Sequence, residues 1–482
     1  MNTNNTIVKQ VNLSFKPRAW QEKALSLFSS TVRHVVLAVH RRAGKSHLAA
    51  IKLITHALRQ PGLYAYIMPE LKQVKDTVWP VFKHYLEPLS KIEVTSGSYQ
   101  NLIKVNESEL SITFNNGSVI RFFGALNGDS MRGAKFAGVV FDEVAQVPHE
   151  VWDQIVSPAL MDTKNSWALF IGTPYGINLF SALFDLGQDP NVKDFASMRF
   201  TVYETDALDP ETVENWKRRT AENTFRREML CDFSASTENQ LLSVENVDAA
   251  MQRYIDEGFQ RKPFSPEHRA SVFLGVDVAR FGDDCSVIFV RSSNRAELVN
   301  LLRGKDTAAL ADAVRAAYRK YKPNAIYIDG TGVGGGVVDQ VRACNIPCYD
   351  INFSSKSSEK IYFNKRAEIW AKMAEWIKRK GAVSPDLREL KIDLPAPLYT
   401  QDDQGQMKLE AKKDIKKRIG KSPDLGDALA LTFSGMIPEY EIPEESKETI
   451  RYLQVKTAPE TPIEKYEREI NERHKRQPQR FY

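Results

Sequence analysis

Two α/β domains in tandem are what this sequence predicts, and three observations carry the prediction. An apolar strand over residues 35–39 runs through a short basic turn into Gly44-Lys45-Ser46 and then an amphipathic helix. A second apolar run, residues 138–141, ends on the paired acids Asp142-Glu143. Far beyond both, acids end strand-like runs at Asp277 and Asp329, and a third lies one turn into a helix at Asp427. Strands alternate with helices through the first half, which favours a three-layer sheet with its ligand at the strands' carboxyl ends. At 482 residues the chain exceeds what one core usually serves.

The first motif has the order a nucleotide-binding P-loop needs. Gly44 removes a side chain where backbone must approach phosphate, Lys45 supplies a mobile cation for the β- and γ-phosphates, and Ser46 offers a hydroxyl to Mg²⁺. In the helix behind it Leu48, Ile51, Ile54 and Leu58 share one face and Pro61-Gly62 stops the run, so the free N–H groups of its first turn aim at the phosphates. The expected ATP contacts are Arg41, Arg42, Ala43, Gly44, Lys45 and Ser46. Val39 stands where the first glycine of G-x-x-x-x-G-K-[ST] usually does. An ordinary strand-turn-helix is the competing reading. Just upstream, Trp20, Ala24, Leu25 and Leu27 mark a short helix in which Gln21 is either a reader of adenine's edge or a surface glutamine.

Residues 63–68 read as the next strand, Val74, Val78 and Val81 as a helix face, and Asn115-Asn116-Gly117 as a hairpin turn. The buried strand ending in Asp142-Glu143 then supplies what a P-loop enzyme lacks so far. Asp142 is expected to hold Mg²⁺ through its water shell, and Glu143 to act as general base on the attacking water. Residues 167–171 form another apolar strand ending in Gly172-Thr173-Pro174, where a hydroxyl can sense the γ-phosphate; the competing reading is a tight strand-exit turn. Arg132, in Ser130-Met131-Arg132-Gly133, is either a surface arginine or a stabiliser of transition-state charge, in cis or across a subunit boundary. The pattern weakens after Glu204, so the first domain is bounded at 1–236 and residues 237–270 are read as a linker.

The second half, 271–440, carries different chemistry. Asp277 ends the strand begun at Val272, Gly282-Asp283-Asp284 turns it into a second strand, Asp329 ends a later strand, and Ser422-Pro423-Asp424 opens the helix that holds Asp427. Acids from a first strand, a later parallel strand and a closing helix are the parts of a ribonuclease-H-like nuclease, in which carboxylates hold two metals for in-line phosphodiester attack. Singly, each is more often a strand-end or capping aspartate. The glycines of 332–336 are either a flexible turn or a close approach to a DNA backbone. The basic run Lys412-Lys413-Asp414-Ile415-Lys416-Lys417-Arg418 precedes the acidic helix and is expected to track DNA. The tail 441–482, charged and without a core pattern, reads as extended or disordered, with docking as its candidate role.

Composition narrows the class. Apolar residues make up 42% and charged residues 26%, ordinary values for a globular protein, and no apolar run is long enough to cross a membrane. The polar first ten residues lack a signal-peptide core, so a cytosolic protein is expected. Four cysteines are too few for a disulfide framework, and Cys344 and Cys348 have no second pair to complete a zinc site. A net charge of +5 permits nucleic-acid binding without demanding it.

Read together, Arg41-Arg42-Ala43-Gly44-Lys45-Ser46, Val140-Phe141-Asp142-Glu143, Gly172-Thr173-Pro174, Gly275-Val276-Asp277, Ile328-Asp329-Gly330 and Ser422-Pro423-Asp424-Leu425-Gly426-Asp427-Ala428-Leu429 resemble the motifs of the large terminase subunit of tailed bacteriophages. An arginine-rich loop without the first glycine is similar to that family's own variant. The resemblance implies an N-terminal P-loop ATPase domain of the ASCE type and a C-terminal RNase H-like nuclease domain. It implies ATP-driven translocation of double-stranded DNA into a procapsid, cutting of concatemeric DNA, and Mg²⁺ as cofactor, with Mn²⁺ able to substitute in the nuclease site. It also implies a coupling role for Thr173, a trans-acting finger at Arg132, and metal ligation by Asp277, Asp329 and Asp427, with Asp424 either a ligand or a helix cap. The implied partners are a small terminase subunit, the portal protein, and further copies of the chain in a pentamer on the portal. The implied location is the host cytoplasm, transiently docked on the procapsid and absent from the mature virion. The main alternative, a helicase-like or repair ATPase fused to a nuclease, should show further helicase motifs after the first domain, and no second ATPase-like lobe is found. A DNA-binding assembly protein with decayed sites is disfavoured by intact Lys45, Ser46, Asp142, Glu143 and the later acids.

Overall fold

The computed structural model describes residues 13–435 apart from 91, 96–97, 236, 238, 265–270 and 280–283. The polar N-terminus, the turn at 282–283 and the tail 441–482 lie outside the described residues. The first sheet is built from β1 (His34–Val39), β2 (Leu63–Met68), β3 (Ile103–Asn106), β4 (Ser111–Phe114), β5 (Val119–Gly124), β6 (Phe136–Asp142), β7 (Trp167–Gly172) and β8 (Phe195–Phe200). Its order is β8-β1-β7-β6-β2-β5-β4-β3, parallel except for the two hairpin pairings among β3, β4 and β5. Both faces are covered, which is why these strands read as unbroken apolar runs. Val35, Leu37 and Val39 pack into one core with α1 (Ala19–Ser26) and α2 (Lys45–Arg59), while Val36 and Ala38 pack into another on the opposite face. Because β1, β7 and β6 are parallel and adjacent, the chain ends at Val39, Gly172 and Asp142 emerge on one edge.

The second sheet holds β9 (Val272–Asp277), β10 (Cys285–Ser292), β11 (Arg295–Arg303), β12 (Ala325–Asp329), β13 (Tyr349–Ile351) and β14 (Ala382–Val383). The order is β13-β12-β9-β10-β11-β14, with β9, β10 and β11 an antiparallel meander and β12 parallel to β9. Asp277 and Asp329 therefore end neighbouring parallel strands. Around this sheet pack α3 (Val244–Asp256), α4 (Thr307–Tyr321), α5 (Lys365–Arg379), α6 (Lys412–Ile419) and α7 (Asp424–Leu431). The last of these lies directly on β9: a Cβ on Gly275 would stand 2.1 Å from the Ala428 carbonyl oxygen. Glycine precedes Val276-Asp277 because the helix backbone uses that space.

Several expectations change. Residues 237–270 contain helix α3, whose Val247, Ala250 and Met251 join Leu241 and Leu242 in the second core, so most of the expected linker packs with the second domain. Its apolar positions recur at helical spacing, but a strongly polar composition masks them. The segment carrying Val74 and Val78 winds as a π-helix, Val74–Val78, before an α-helical stretch, Trp79–Ser90. Among the described residues no helix is long and apolar enough to cross a membrane.

Candidate functional site

At the first sheet's edge, Gly44 adopts φ +94°, a left-handed conformation that side chains resist, and so lets the loop turn directly into α2. Two groups from α1 and its cap brace this loop. Arg18 Nη1 donates to the Ala43 carbonyl at 2.8 Å, and Gln21 Nε2 donates to the Gly44 carbonyl at 3.2 Å while its Oε1 accepts from the Arg18 N–H at 2.9 Å. Gln21 is thus buried and braces the loop, which corrects the surface-glutamine reading, and its amide keeps one further donor and one further acceptor position for an adenine edge. Arg41 turns outward to an ion pair with Glu228 at 2.5 Å, and Arg42 takes a positive φ of 64°.

The catalytic groups expected from sequence meet here. Lys45 Nζ donates to the Val39 and His40 carbonyls, both at 3.1 Å, so its ammonium rests on the loop it would leave for a phosphate. Ser46 Oγ donates to Asp142 Oδ2 at 3.2 Å, joined there by the Tyr66 hydroxyl at 2.6 Å, while the Glu143 N–H donates to Asp142 Oδ1 at 2.9 Å. Asp142 is fixed from both ends, and a serine hydroxyl beside a carboxylate is an oxygen pair that fits Mg²⁺ with waters completing its shell. Glu143 stands in a left-handed conformation, φ 51°; burial, then the Asp142 charge, raises its carboxyl above the usual range, with Lys45 pulling the other way. Thr173 Oγ1 reaches the same Val39 carbonyl as Lys45, at 3.5 Å. Arg132 is not with them: it is more than half exposed, and its side chain pairs with Asp129 at 2.7 Å. Tyr66, Arg18 and Glu228 escaped sequence reading. Tyr66 sits in phase with apolar core residues, and only the fold reveals that its hydroxyl ends on Asp142.

In the second domain, burial raises Asp277 to about 8 and Asp424 to about 7, and raises Asp329 as well. These are carboxyls short of counter-charge. Asp329 Oδ1 accepts from the Thr331 N–H at 3.0 Å, with the Thr331 hydroxyl also bonding that carboxyl, and Asp424 Oδ2 accepts from the Cys285 N–H at 2.9 Å. Asp427 behaves differently. It is fully buried, accepts from Trp370 Nε1 at 2.7 Å and Arg366 Nε at 3.0 Å, and lies 3.0 Å from Lys412 Nζ. Burial opposes its charge, but Arg366 and Lys412 outweigh it and hold the carboxyl below the ordinary range. The oxygens of Asp427, expected as a direct metal ligand, are held here by protein cations and an indole, while Asp424 on the same helix faces Asp284 and acts on Asp277 electrostatically.

Lys412 is the residue that sequence reading misplaced most. Its ammonium stands 3.1 Å from Asp277 Oδ1 as well as 3.0 Å from Asp427 Oδ2, bridging the two acids. Lys416 likewise pairs with Asp284 at 2.7 Å, and Arg418 pairs with Glu410. Three cations of the run expected to track DNA are thus spent on the chain's own acids and only Lys413 and Lys417 are exposed. Among the described residues no three acids, histidines or cysteines close around one ion, and Lys412 takes the space between two of the candidates. The donor set still fits hard divalent ions, since buried Asp277 and Asp329 and half-buried Asp424 are carboxylate oxygen donors. Gly334 resolves the glycine run in part: a Cβ there would meet the Asp329 carbonyl oxygen at 1.8 Å, so the close approach is made by the chain itself.

Comparison with known proteins covers both sites. Residues 40–247 match the family described as "Terminase large subunit, T4likevirus-type, N-terminal", and residues 274–391 match the "Terminase RNaseH-like domain". The terminase large subunit of Escherichia phage T5 is 26% identical over 304 residues, 62% of this chain and 66% of that protein, so the chain spans just under two thirds of that relative's length. The large subunit of Thermus virus P23-45 is 22% identical over 404 residues, 79% of this chain and 82% of its own. In three dimensions the HK97 bacteriophage large terminase aligns over 87% of this chain and 95% of that one at 12% identity and a TM-score of 0.50, a likeness of fold.

Proposed function

The chain belongs to the terminase large-subunit family, and from that premise we propose that it is a packaging motor whose first domain hydrolyses ATP to move double-stranded DNA into a procapsid and whose second domain cuts concatemeric DNA. One observation carries the reading. A phosphate loop with an acid pair on one sheet and under-compensated buried acids on another occur in a single chain, each at the carboxyl end of parallel strands. The partners proposed are double-stranded DNA, a small terminase subunit, a portal ring and further copies of the chain in a pentamer, acting in the host cytoplasm.

In the ATPase the Lys45 ammonium exchanges the Val39 and His40 carbonyls for the β- and γ-phosphate oxygens. Glu143, its carboxyl raised by burial and so made a stronger base than an exposed glutamate, takes the proton of the attacking water. Thr173, on the carbonyl that Lys45 leaves, registers the exchange. Ser46 and Asp142 would hold Mg²⁺ with the nucleotide. Arg132, exposed and paired with Asp129 in its own chain, would act as the finger on a neighbouring subunit's nucleotide.

In the nuclease, Asp277, Asp329 and Asp424 would hold divalent ions, Mg²⁺ or Mn²⁺, which when bound supply a hydroxide nucleophile and neutralise developing charge on the phosphodiester. Asp427 anchors Lys412 and Arg366 beneath those acids. The test is a paired assay on one preparation: DNA-stimulated ATP hydrolysis, and plasmid cleavage dependent on Mg²⁺ or Mn²⁺. Both activities are expected. Hydrolysis that DNA does not stimulate, together with no cleavage at millimolar metal, overturns the proposal.

A further inference from the structure

Helix α6 touches both sites. Its first residue, Lys412, bridges Asp277 and Asp427, while its other end is gripped by the first domain. Ile177, four residues after Thr173, packs against Ile415 and Ile419 of α6 and against Ala396. The Ile177 carbonyl accepts from Arg418 Nη1 at 2.7 Å. The His149 ring lies against Gly420 at the helix end, where an added Cβ would stand 3.0 Å from it. Residues 145–148, which follow Glu143, line a cleft whose other wall is Asp414, Lys417 and Arg418. Both loops leaving the ATPase strands β6 and β7 therefore rest on the helix that delivers a cation to the nuclease acids.

We propose that Ile177 and Arg418 are positioning residues that set the place of Lys412 through α6, so that nucleotide at the P-loop controls whether Lys412 or divalent metal neutralises Asp277. This rests on the two-site reading above. Thr173 bonds the Val39 carbonyl while Lys45 also rests there. A bound γ-phosphate draws both away, the 174–177 segment shifts with Thr173, and the Arg418 grip loosens. Loosened at its far end, the eight-residue helix frays and lets its first residue move. Lys412 then withdraws from Asp277 and the acid accepts metal.

The experiment uses the full chain with ATPγS as the nucleotide. Amide hydrogen exchange over 412–419 should speed up when ATPγS binds, and the Mn²⁺ concentration for half-maximal plasmid cleavage should fall about fivefold, the worth of one hydrogen bond. Ile177→Ala should remove the nucleotide's effect on both while retaining ATP hydrolysis; Ile177→Val should restore it. Arg418→Lys, which keeps the charge beside Glu410 but cannot span the Ile177 and Ala396 carbonyls as Nη1 and Nη2 do, should behave as Ile177→Ala does. If α6 exchange and the Mn²⁺ requirement ignore ATPγS in the unaltered chain while it both hydrolyses ATP and cuts plasmid, the coupling is wrong and the proposed function stands. If neither activity exists, both fall.

Discussion

Replacing Asp427 with Asn separates an anchoring acid from a ligating one. The substitution keeps the shape of the side chain but removes the charge that Arg366 and Lys412 share, and Asp427 is fully buried with the Trp370 indole also donating to it. Removing one partner of a buried ion pair leaves an uncompensated charge and costs about 3–5 kcal/mol. Lys412 is one-third exposed and can recruit water, so the low end, about 3 kcal/mol, is the better figure. For a domain of this size each kcal/mol moves the midpoint by about 2–4 °C, so the second domain's transition should fall by roughly 6–12 °C. Calorimetry of the full chain reads this, with the first domain's transition identified as the one that ATPγS raises. Asp329→Asn serves as the control, because it relieves an acid raised by burial and joined in no ion pair among the described residues, and it should not lower the midpoint. An Asp427→Asn midpoint within about 2 °C of the parent would refute the anchoring role and return Asp427 to the ligand set.

The other predictions concern each site in turn. Glu143→Gln should abolish turnover while ATP still binds, because an amide cannot accept the water's proton, whereas Lys45→Ala should weaken nucleotide binding itself; equilibrium binding beside steady-state hydrolysis checks both. Arg132→Ala mixed with Glu143→Gln, each inactive alone, should recover some ATPase if the arginine acts across a subunit boundary, and failure in a verified mixed assembly leaves Arg132 a surface residue paired with Asp129. Without metal, the folded chain keeps a proton on Asp424 up to about 7 that the unfolded chain loses near 3.8, so stability should fall as pH rises through that window. Denaturant titrations at several pH values should show a shallower fall in Asp424→Asn.

Most of the first domain could be read directly because its strands are buried on both faces and its ligand groups sit at strand ends, where Gly44, Asp142 and Thr173 interrupt apolar runs. What stayed hidden depends on partners distant in sequence. Tyr66 is one apolar-strand residue among several until β2 is placed beside β6. Lys412 looks like part of a solvated basic run, and only the fold brings its ammonium onto Asp277 at the end of β9. Asp424 and Asp427 are indistinguishable by spacing. Arg366 and Trp370, from α5, decide which of the two is spoken for. Helix α3 was missed for the opposite reason, since its apolar stripe was present but thin amid charge.

The central claim is that one chain carries two chemically separate sites, and the most direct measurement assays both activities on Asp277→Ala and Glu143→Gln proteins side by side. The account predicts that Asp277→Ala loses metal-dependent plasmid cleavage and keeps DNA-stimulated ATP hydrolysis, and that Glu143→Gln loses hydrolysis and still cuts plasmid. Cleavage by Asp277→Ala at the parent rate, or loss of its ATPase as complete as that of Lys45→Ala, would contradict it.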